Sequence, residues 1–204
     1  MEYSRLTRAF VVFALILTGS ARAALGDPSL LGTGASGEFP LVRAGATAPL
    51  VVAANDWPGV RRAAGDLQSD IERVTGRKPA LGTAASGPTV IIGTLGRSEV
   101  IDGLVAAGKL DVGAIRGRWE AFLLETVDHP LPGVDQALVI AGSDKRGTIY
   151  GIYELSQQIG VSPWYWWADV PVKKSAELYL RPGRTVVDSP VVQYRGIFLN
   201  DEAP

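Results

Sequence analysis

Short apolar runs alternate with segments of helical periodicity between residues 49 and 160, and this alternation predicts an α/β fold. Asn55-Asp56 offers a turn or an N-cap before the first periodic segment, and Gly76 offers its stop. Gly160 plays the same part after the last segment. We expect strands at 49–54, 89–92, 119–127 and 137–141, the last two forming a hairpin, and helices at about 60–74, 98–107 and 146–159. The pattern predicts one α/β sandwich domain.

The N-terminal segment has the features of a secretory signal peptide. Arg5 and Arg8 precede an apolar run at 9–17, and Ala21-Arg22-Ala23 matches the small-x-small pattern of a cleavage site. The run is shorter than the ~20 residues that span a bilayer, which argues against an anchor. We therefore expect cleavage before Ala24, export to the periplasm or the cell exterior, and no membrane partner afterwards.

Residues 24–40 are rich in small residues and lack periodicity, which predicts a linker. Within them, residues 32–37 match the G-x-G-x-x-G spacing of a dinucleotide-binding loop. That loop requires a preceding strand and a following helix whose N-terminus receives the pyrophosphate. The sequence supplies neither, so we interpret the glycines as part of the linker.

The composition argues against several classes of function. A formal net charge of -1 and a sequence pI of 5.9 offer no basic surface, so we expect no nucleic-acid partner. The chain has no cysteine, which excludes disulfides and thiol chemistry. His129 is the single histidine, so no zinc constellation is available and we expect no metal or other cofactor.

The C-terminal residues combine an apolar run with acids. Ile197-Phe198-Leu199 is typical of an inner strand of an α/β barrel, and barrel chemistry lies just past the carboxyl ends of such strands. Asn200, Asp201 and Glu202 fall at that position. Adjacent residues of a strand point to opposite faces, so we expect only one of the two acids, Asp201 or Glu202, to face a site. This ending predicts a truncated chain.

Two strings of sequence carry a family resemblance. Residues 159–172, IGVSPWYWWADVPV, and 194–204, YRGIFLNDEAP, resemble the glycoside hydrolase family 115 xylan α-1,2-glucuronidases. Residues 142–155, GSDKRGTIYGIYEL, are similar to the last strand-to-helix junction of the small α/β domain that precedes the barrel in β-hexosaminidases and family 67 α-glucuronidases. The resemblance implies a small accessory α/β sandwich domain followed by the first strand of a truncated (β/α)8 barrel. It divides the chain into a signal peptide at 1–23, a linker at 24–40, an accessory domain at 41–185 and the start of the barrel at 186–204.

The resemblance also implies an activity and its residues. It implies an inverting hydrolase that removes (4-O-methyl)glucuronic acid from glucuronoxylan or derived oligosaccharides, with its remaining carboxylates on later barrel strands and with a homodimer as one form of the full-length enzyme. We expect Asp201 nearest the chemistry and Asn200, Glu202 and Trp164 as substrate-binding residues. A helix cap or loop contact is the alternative role of the acids. We expect this chain alone to be inactive, since glycosidic cleavage uses two carboxyl groups.

Two further clusters leave alternatives open. The rings of Trp164-Tyr165-Trp166-Trp167 would lie on both faces of an extended segment, where they either stack on sugar or, as we favour, pack the domain against a barrel. Lys145 and Arg146 could meet a uronate, although capping of the helix by Ser143 or Asp144 is the simpler interpretation. A free-standing carbohydrate-binding domain and the accessory domain of another barrel glycosidase remain the alternatives for the whole chain.

Overall fold

A computed structural model describes residues 29–196 of the chain. The predicted signal peptide, the predicted catalytic residue Asp201 and the predicted substrate-binding residues Asn200 and Glu202 lie outside the described residues. The strands are β1 (Phe39–Arg43), β2 (Ala46–Thr47), β3 (Leu50–Val52), β4 (Leu81–Gly82), β5 (Thr89–Thr94), β6 (Phe122–Leu131), β7 (Val134–Gly142), β8 (Leu178–Leu180) and β9 (Arg184–Val187). The helices are α1 (Pro58–Thr75), α2 (Glu99–Ala106) and α3 (Lys145–Gln158).

A six-stranded mixed sheet forms the centre of the molecule, in the order β4-β3-β5-β7-β6-β9. The pairs among β4, β3, β5 and β7 are parallel, whereas β6 runs antiparallel to β7 and to β9. All six residues of β5 are buried, which is typical of a parallel strand covered on both faces. The predicted hairpin is confirmed, since β6 and β7 pair with Phe122 opposite Gly142.

Alternate residues of the strands point into two separate cores. Val90 and Ile92 of β5 pack under α1 and α3, whereas Ile91 between them packs under α2 on the opposite face. The period of two along a strand therefore assigns each apolar side chain to one of two helix layers.

The ends of the helices agree with the sequence except at one cap. Gly76 adopts the left-handed conformation after α1, and Ser98 and Asp144 cap α2 and α3. Of the two roles expected for Asn55-Asp56, the turn is present, because Asp56 N donates to the carbonyl of Ala53. The cap is absent, because α1 begins after Trp57 without a side-chain cap. Asp56 instead accepts hydrogen bonds from the main chain and side chain of Thr94 at the end of β5.

A second, three-stranded antiparallel sheet in the order β2-β1-β8 was not expected from the sequence. Its Phe39, Leu41 and Leu178 are buried in the core beneath α1 and α3. The predicted linker at 24–40 overlaps this sheet, because β1 begins at Phe39 and Leu31 forms a bridge with Leu180. The predicted boundary between 185 and 186 falls inside β9, which pairs with β6.

Candidate functional site

A groove of about 640 Å³ runs along the exposed side of α3, and we call it the α3 groove. Its walls are α3, the turn at 161–166 and the segment at 187–195 that leads out of β9. Aromatic rings and acids line it, among them Phe122, Tyr150, Tyr153, Tyr165, Trp166, Asp70, Glu120, Glu154 and Asp188, together with Arg195. The volume falls in the range of small-molecule sites, about 300 to 1,000 Å³.

Glu120 places a buried carboxylate at one end of the groove. Its Oε1 accepts a hydrogen bond from Arg146 Nη1 at 2.7 Å, and its Oε2 accepts one from Arg195 Nη2. Burial raises the pKa of Glu120, but hydrogen bonds and charges from the two arginines outweigh burial and leave that pKa below its ordinary value. Glu120 is therefore a stable anion in the folded protein at neutral pH.

Asp70 is a second acid in the groove and has the opposite electrostatics. It lies on α1, is 6% exposed and pairs with Arg73 at 2.7 Å. Burial raises its pKa, and Ser156 and Arg73 offset only part of that effect. Nearby, Tyr153 donates a hydrogen bond to Asp66 at 2.7 Å. Burial and that hydrogen bond raise the pKa of Tyr153 to about 12.

Glu154 is the third acid of the groove and has a structural partner. Gln158, one turn later on α3, donates to its Oε1 at 2.8 Å and accepts from the main chain of Leu30. The acid and the amide thus connect α3 to the start of the described chain.

The aromatic segment 164–167 is a turn, which corrects the expected extended conformation. The main-chain N–H groups of Tyr165 and Ala168 donate to the carbonyls of Ser162 and Trp164. Tyr165 packs against the core, and Arg73 lies 5.3 Å from the ring centres of Tyr165 and Trp166. The side chains of Trp164, Trp166 and Trp167 remain 64%, 74% and 80% exposed. Trp164 is not among the residues that line the α3 groove.

The start of α3 follows the capping interpretation. Asp144 Oδ1 accepts from the main chain of Gly147 at 2.8 Å, and Oδ2 accepts from that of Glu120 at 2.9 Å. The positive charge of Arg146 is directed to Glu120. Asp144 and Glu120 therefore already place two carboxylates at the position where a bound uronate was the alternative interpretation.

The glycine-rich loop at 32–37 also has an internal partner. The main-chain N–H groups of Thr33, Gly34 and Ala35 all donate to Glu38 Oε2, at 2.6 to 3.0 Å. A carboxylate of the chain thus occupies the position that a phosphate takes in a nucleotide loop. This geometry agrees with the rejection of a dinucleotide site.

Sequence reasoning did not find Glu120 and Arg195 as partners. They are 75 positions apart. Arg195 belongs to the string at 194–204, but Glu120 belongs to no motif and nothing local connects the two residues. Among residues 29–196, no group of three or more His, Asp or Glu side chains could hold a metal ion. Within the same range, no helix has the length and apolarity to cross a membrane.

Comparisons with known proteins give one informative relative. No protein-family profile matches the chain, and no curated protein matches it significantly. A solved family GH115 4-O-methyl-α-glucuronidase with specificity for decorated arabinogalactans is 31% identical over 68% of this chain, with a TM-score of 0.57. The chain spans 17% of that enzyme's length. Its α/β fold is therefore similar to part of a glycosidase.

Two more distant structures are bacterial hexosaminidases. The N-acetyl-β-hexosaminidase of Streptomyces plicatus has 14% identity and a TM-score of 0.46, over 85% of this chain and 27% of its own. The GH20 β-N-acetylhexosaminidase of Streptomyces coelicolor A3(2) has 13% identity and a TM-score of 0.45, over 82% and 26%. At these scores, neither structure supports a functional argument.

Proposed function

We propose that this chain is the N-terminal part of an exported glycoside hydrolase that removes (4-O-methyl)glucuronic acid side groups from a plant polysaccharide, with inversion. Residues 30–187 form its accessory α/β domain in this proposal, because Leu30 and Leu31 pack against the same core. The predicted strand at 197–199 begins its catalytic barrel. The observation that carries the proposal is the 31% identity with a 4-O-methyl-α-glucuronidase over 68% of the chain. The resemblance of residues 159–172 and 194–204 to family 115 supports it.

Two polysaccharides compete as the natural substrate. The resemblance at 194–204 implies glucuronoxylan, whereas the structural relative is specific for decorated arabinogalactans. In this proposal both polysaccharides carry uronic acid side groups, and they differ in the sugar to which the side group is attached. Glucuronoxylan is the proposed substrate, and a glucuronylated arabinogalactan is the competing one.

The α3 groove supports an accessory role for the α/β domain. Exposed apolar side chains surround it, including Tyr150 and Tyr153 on α3 and Trp166 on the turn. Exposed patches of this kind on a soluble protein mark contact surfaces. The segment that leads to the predicted catalytic strand also lines the groove at Pro190 and Arg195, so a following domain would begin beside it.

The test compares this chain with the complete enzyme. We predict that residues 24–204 release no glucuronic acid from either polysaccharide, because two suitably spaced carboxyl groups are required. The enzyme extended beyond Pro204 should release it, with the higher kcat/KM on glucuronoxylan. Release would be measured by chromatography of the products. Turnover by residues 24–204, or an inactive extended enzyme on both substrates, would contradict the proposal.

A carbohydrate-binding domain is the second candidate, and the exposure of Trp164, Trp166 and Trp167 favours it. Exposed flat rings can stack on the apolar faces of sugars. Affinity electrophoresis of the 204-residue chain in gels with and without xylan would test this role. Retardation that is lost in Trp164→Ala and kept in Trp57→Ala would favour it, since Trp57 lies at the start of α1 and is stacked by Arg97.

A further inference from the structure

We propose that Glu120 is a positioning residue, which anchors Arg195 and thereby fixes where the chain leaves the α/β domain toward Asp201. The anchoring rests on described contacts alone. Its consequence for catalysis rests on the function proposed above.

Glu120 occupies an unusual backbone position. Its φ is +55°, a conformation that side-chain-bearing residues rarely adopt and that costs about 1 to 3 kcal/mol. The main chain around it is held firmly, because Glu120 N donates to Asp144 Oδ2 at 2.9 Å and Ala121 N donates to Ser143 Oγ at 3.0 Å. The start of α3 therefore holds Glu120 in place, and its carboxylate is 95% buried at a defined point.

The carboxylate of Glu120 accepts hydrogen bonds from two arginines in different parts of the chain. Arg146, on α3, takes one oxygen and would by itself supply the charge that a buried carboxylate requires. Arg195 takes the other oxygen and comes from the segment that follows β9. Two guanidinium partners on one buried carboxylate therefore connect the first turn of α3 to the departing chain.

Further contacts of Arg195 strengthen this connection. Its guanidinium lies 5.9 Å from the ring centre of Trp119, and its Nη2 lies 3.4 Å from the hydroxyl of Tyr150. The neighbouring side chains contribute little, because Val191 is fully exposed and Tyr194 is 89% exposed. Arg195 is thus the main side-chain anchor that we find in the last described residues.

The anchor is close in sequence to the proposed chemistry. Asp201 follows Arg195 by six residues, which span at most about 20 Å of chain. A shift of about 1 Å in a reacting group can cost a hundredfold in rate, even when its cause is distant. Freeing Arg195 would therefore displace the proposed catalytic acid without touching substrate.

The first experiment measures the anchor in the 204-residue chain by limited trypsin digestion. Glu120→Gln should accelerate cleavage at the Arg195–Gly196 bond about tenfold, because it weakens a charge-assisted pair, while cleavage at Lys173 and Lys174 keeps its rate. The matched control is Glu125→Gln, which removes the same charge from β6 but affects a pair with Arg184. Equal rates in both variants, or faster cleavage at all sites, would overturn the proposal.

A second variant covers the case in which Glu120→Gln does not fold. Arg195→Lys keeps the charge and the trypsin site but loses the planar guanidinium, so cleavage at this position should accelerate severalfold. A rate equal to that of the unchanged chain would likewise count against the anchor.

The second experiment measures kcat and KM in the enzyme extended beyond Pro204. Glu120→Gln should lower kcat at least about tenfold and leave KM within about twofold, while Glu125→Gln changes neither. Loss of thermal stability with unchanged kcat would show that Glu120 has only a structural role and would overturn the positioning role. An extended enzyme without activity would contradict the proposed function and leave the trypsin result intact.

Discussion

Three buried carboxylates of the α3 groove differ in what surrounds them, and the difference decides the charge of each. Glu120 and Asp70 are both buried, but Glu120 meets two guanidinium groups whereas Asp70 meets one. The pKa of Glu120 is therefore lowered despite its burial, whereas burial raises the pKa of Asp70. Glu154 pairs with a neutral amide.

Lowering the pH should change the contributions of Glu120 and Asp70 to folding stability in opposite directions. A lowered native pKa means that Glu120 stabilises the fold above its ordinary pKa of 4.5 and loses that contribution as pH falls through the native value. The advantage of the unchanged chain over Glu120→Gln should therefore shrink between about pH 5 and pH 3.

Asp70 should show the opposite sign, because a raised native pKa favours the protonated fold. The stability of the unchanged chain relative to Asp70→Asn should increase as pH falls from 7 to 4. Urea unfolding of the three proteins at each pH measures both trends. Parallel pH profiles for the two variants would contradict the assignment of the two environments.

Asp201 is the residue-scale prediction for the proposed enzyme. Asp201→Asn keeps the size of the side chain and removes a charge or proton acceptor, so we expect turnover to fall at least about 100-fold with little change in melting temperature. Steady-state rates and thermal melts of the extended enzyme measure this. Near-normal activity would assign Asp201 to a loop contact or helix cap.

At the scale of elements, the β6–β7 hairpin and the first turn of α3 approach each other closely. A Cβ on Gly147, in the first turn of α3, would lie 2.2 Å from the carbonyl oxygen of Ala121. A Cβ on Gly142, at the end of β7, would lie 2.1 Å from Thr148 N. Both obstacles are main-chain atoms, so the helix itself would have to shift.

Gly147→Ala should therefore destabilise the domain by about 2 to 3 kcal/mol, the upper range for overpacking. Gly65→Ala is the control, because the added methyl on α1 has open space and removes a helical glycine. It should stabilise by about 0.5 to 1 kcal/mol. Chemical denaturation of both variants measures the difference, and equal effects would contradict the close contact at Ala121.

At the scale of the whole molecule, the two sheets share one core. The three-stranded sheet contributes Phe39 and Leu180 to the apolar layer under α1 and α3, although β1 and β8 are far apart in sequence. The N-terminal residues 30 and 31 join the same layer. The domain therefore begins earlier in the chain than residue 41.

Export is the prediction for the whole chain. We expect the mature N-terminus at Ala24 or within a few residues of it, because the small-x-small motif ends at Ala23. N-terminal sequencing of the protein recovered outside the cytoplasm measures the cleavage point. An intact Met1 on that protein would exclude a cleaved signal.

Local sequence is sufficient to predict the alternating α/β order, the hairpin at β6–β7 and most helix ends, because these depend on the local period and on single residues such as Gly76. It also predicted a helix cap at Ser143 or Asp144, which the structure assigns to Asp144, and it argued against a nucleotide loop at 32–37. These features are local. Neighbouring residues contain the whole signal.

Features that join distant residues depend on tertiary packing. The pairing of β1 with β8 and of Glu120 with Arg195 leaves no local mark, because each partner alone reads as an ordinary apolar or charged residue. Tyr153 lines the groove and is 44% exposed, whereas Leu155 of the same helix is buried in the core. A periodic pattern identifies the element, whereas packing against elements elsewhere in the chain determines which side chains meet.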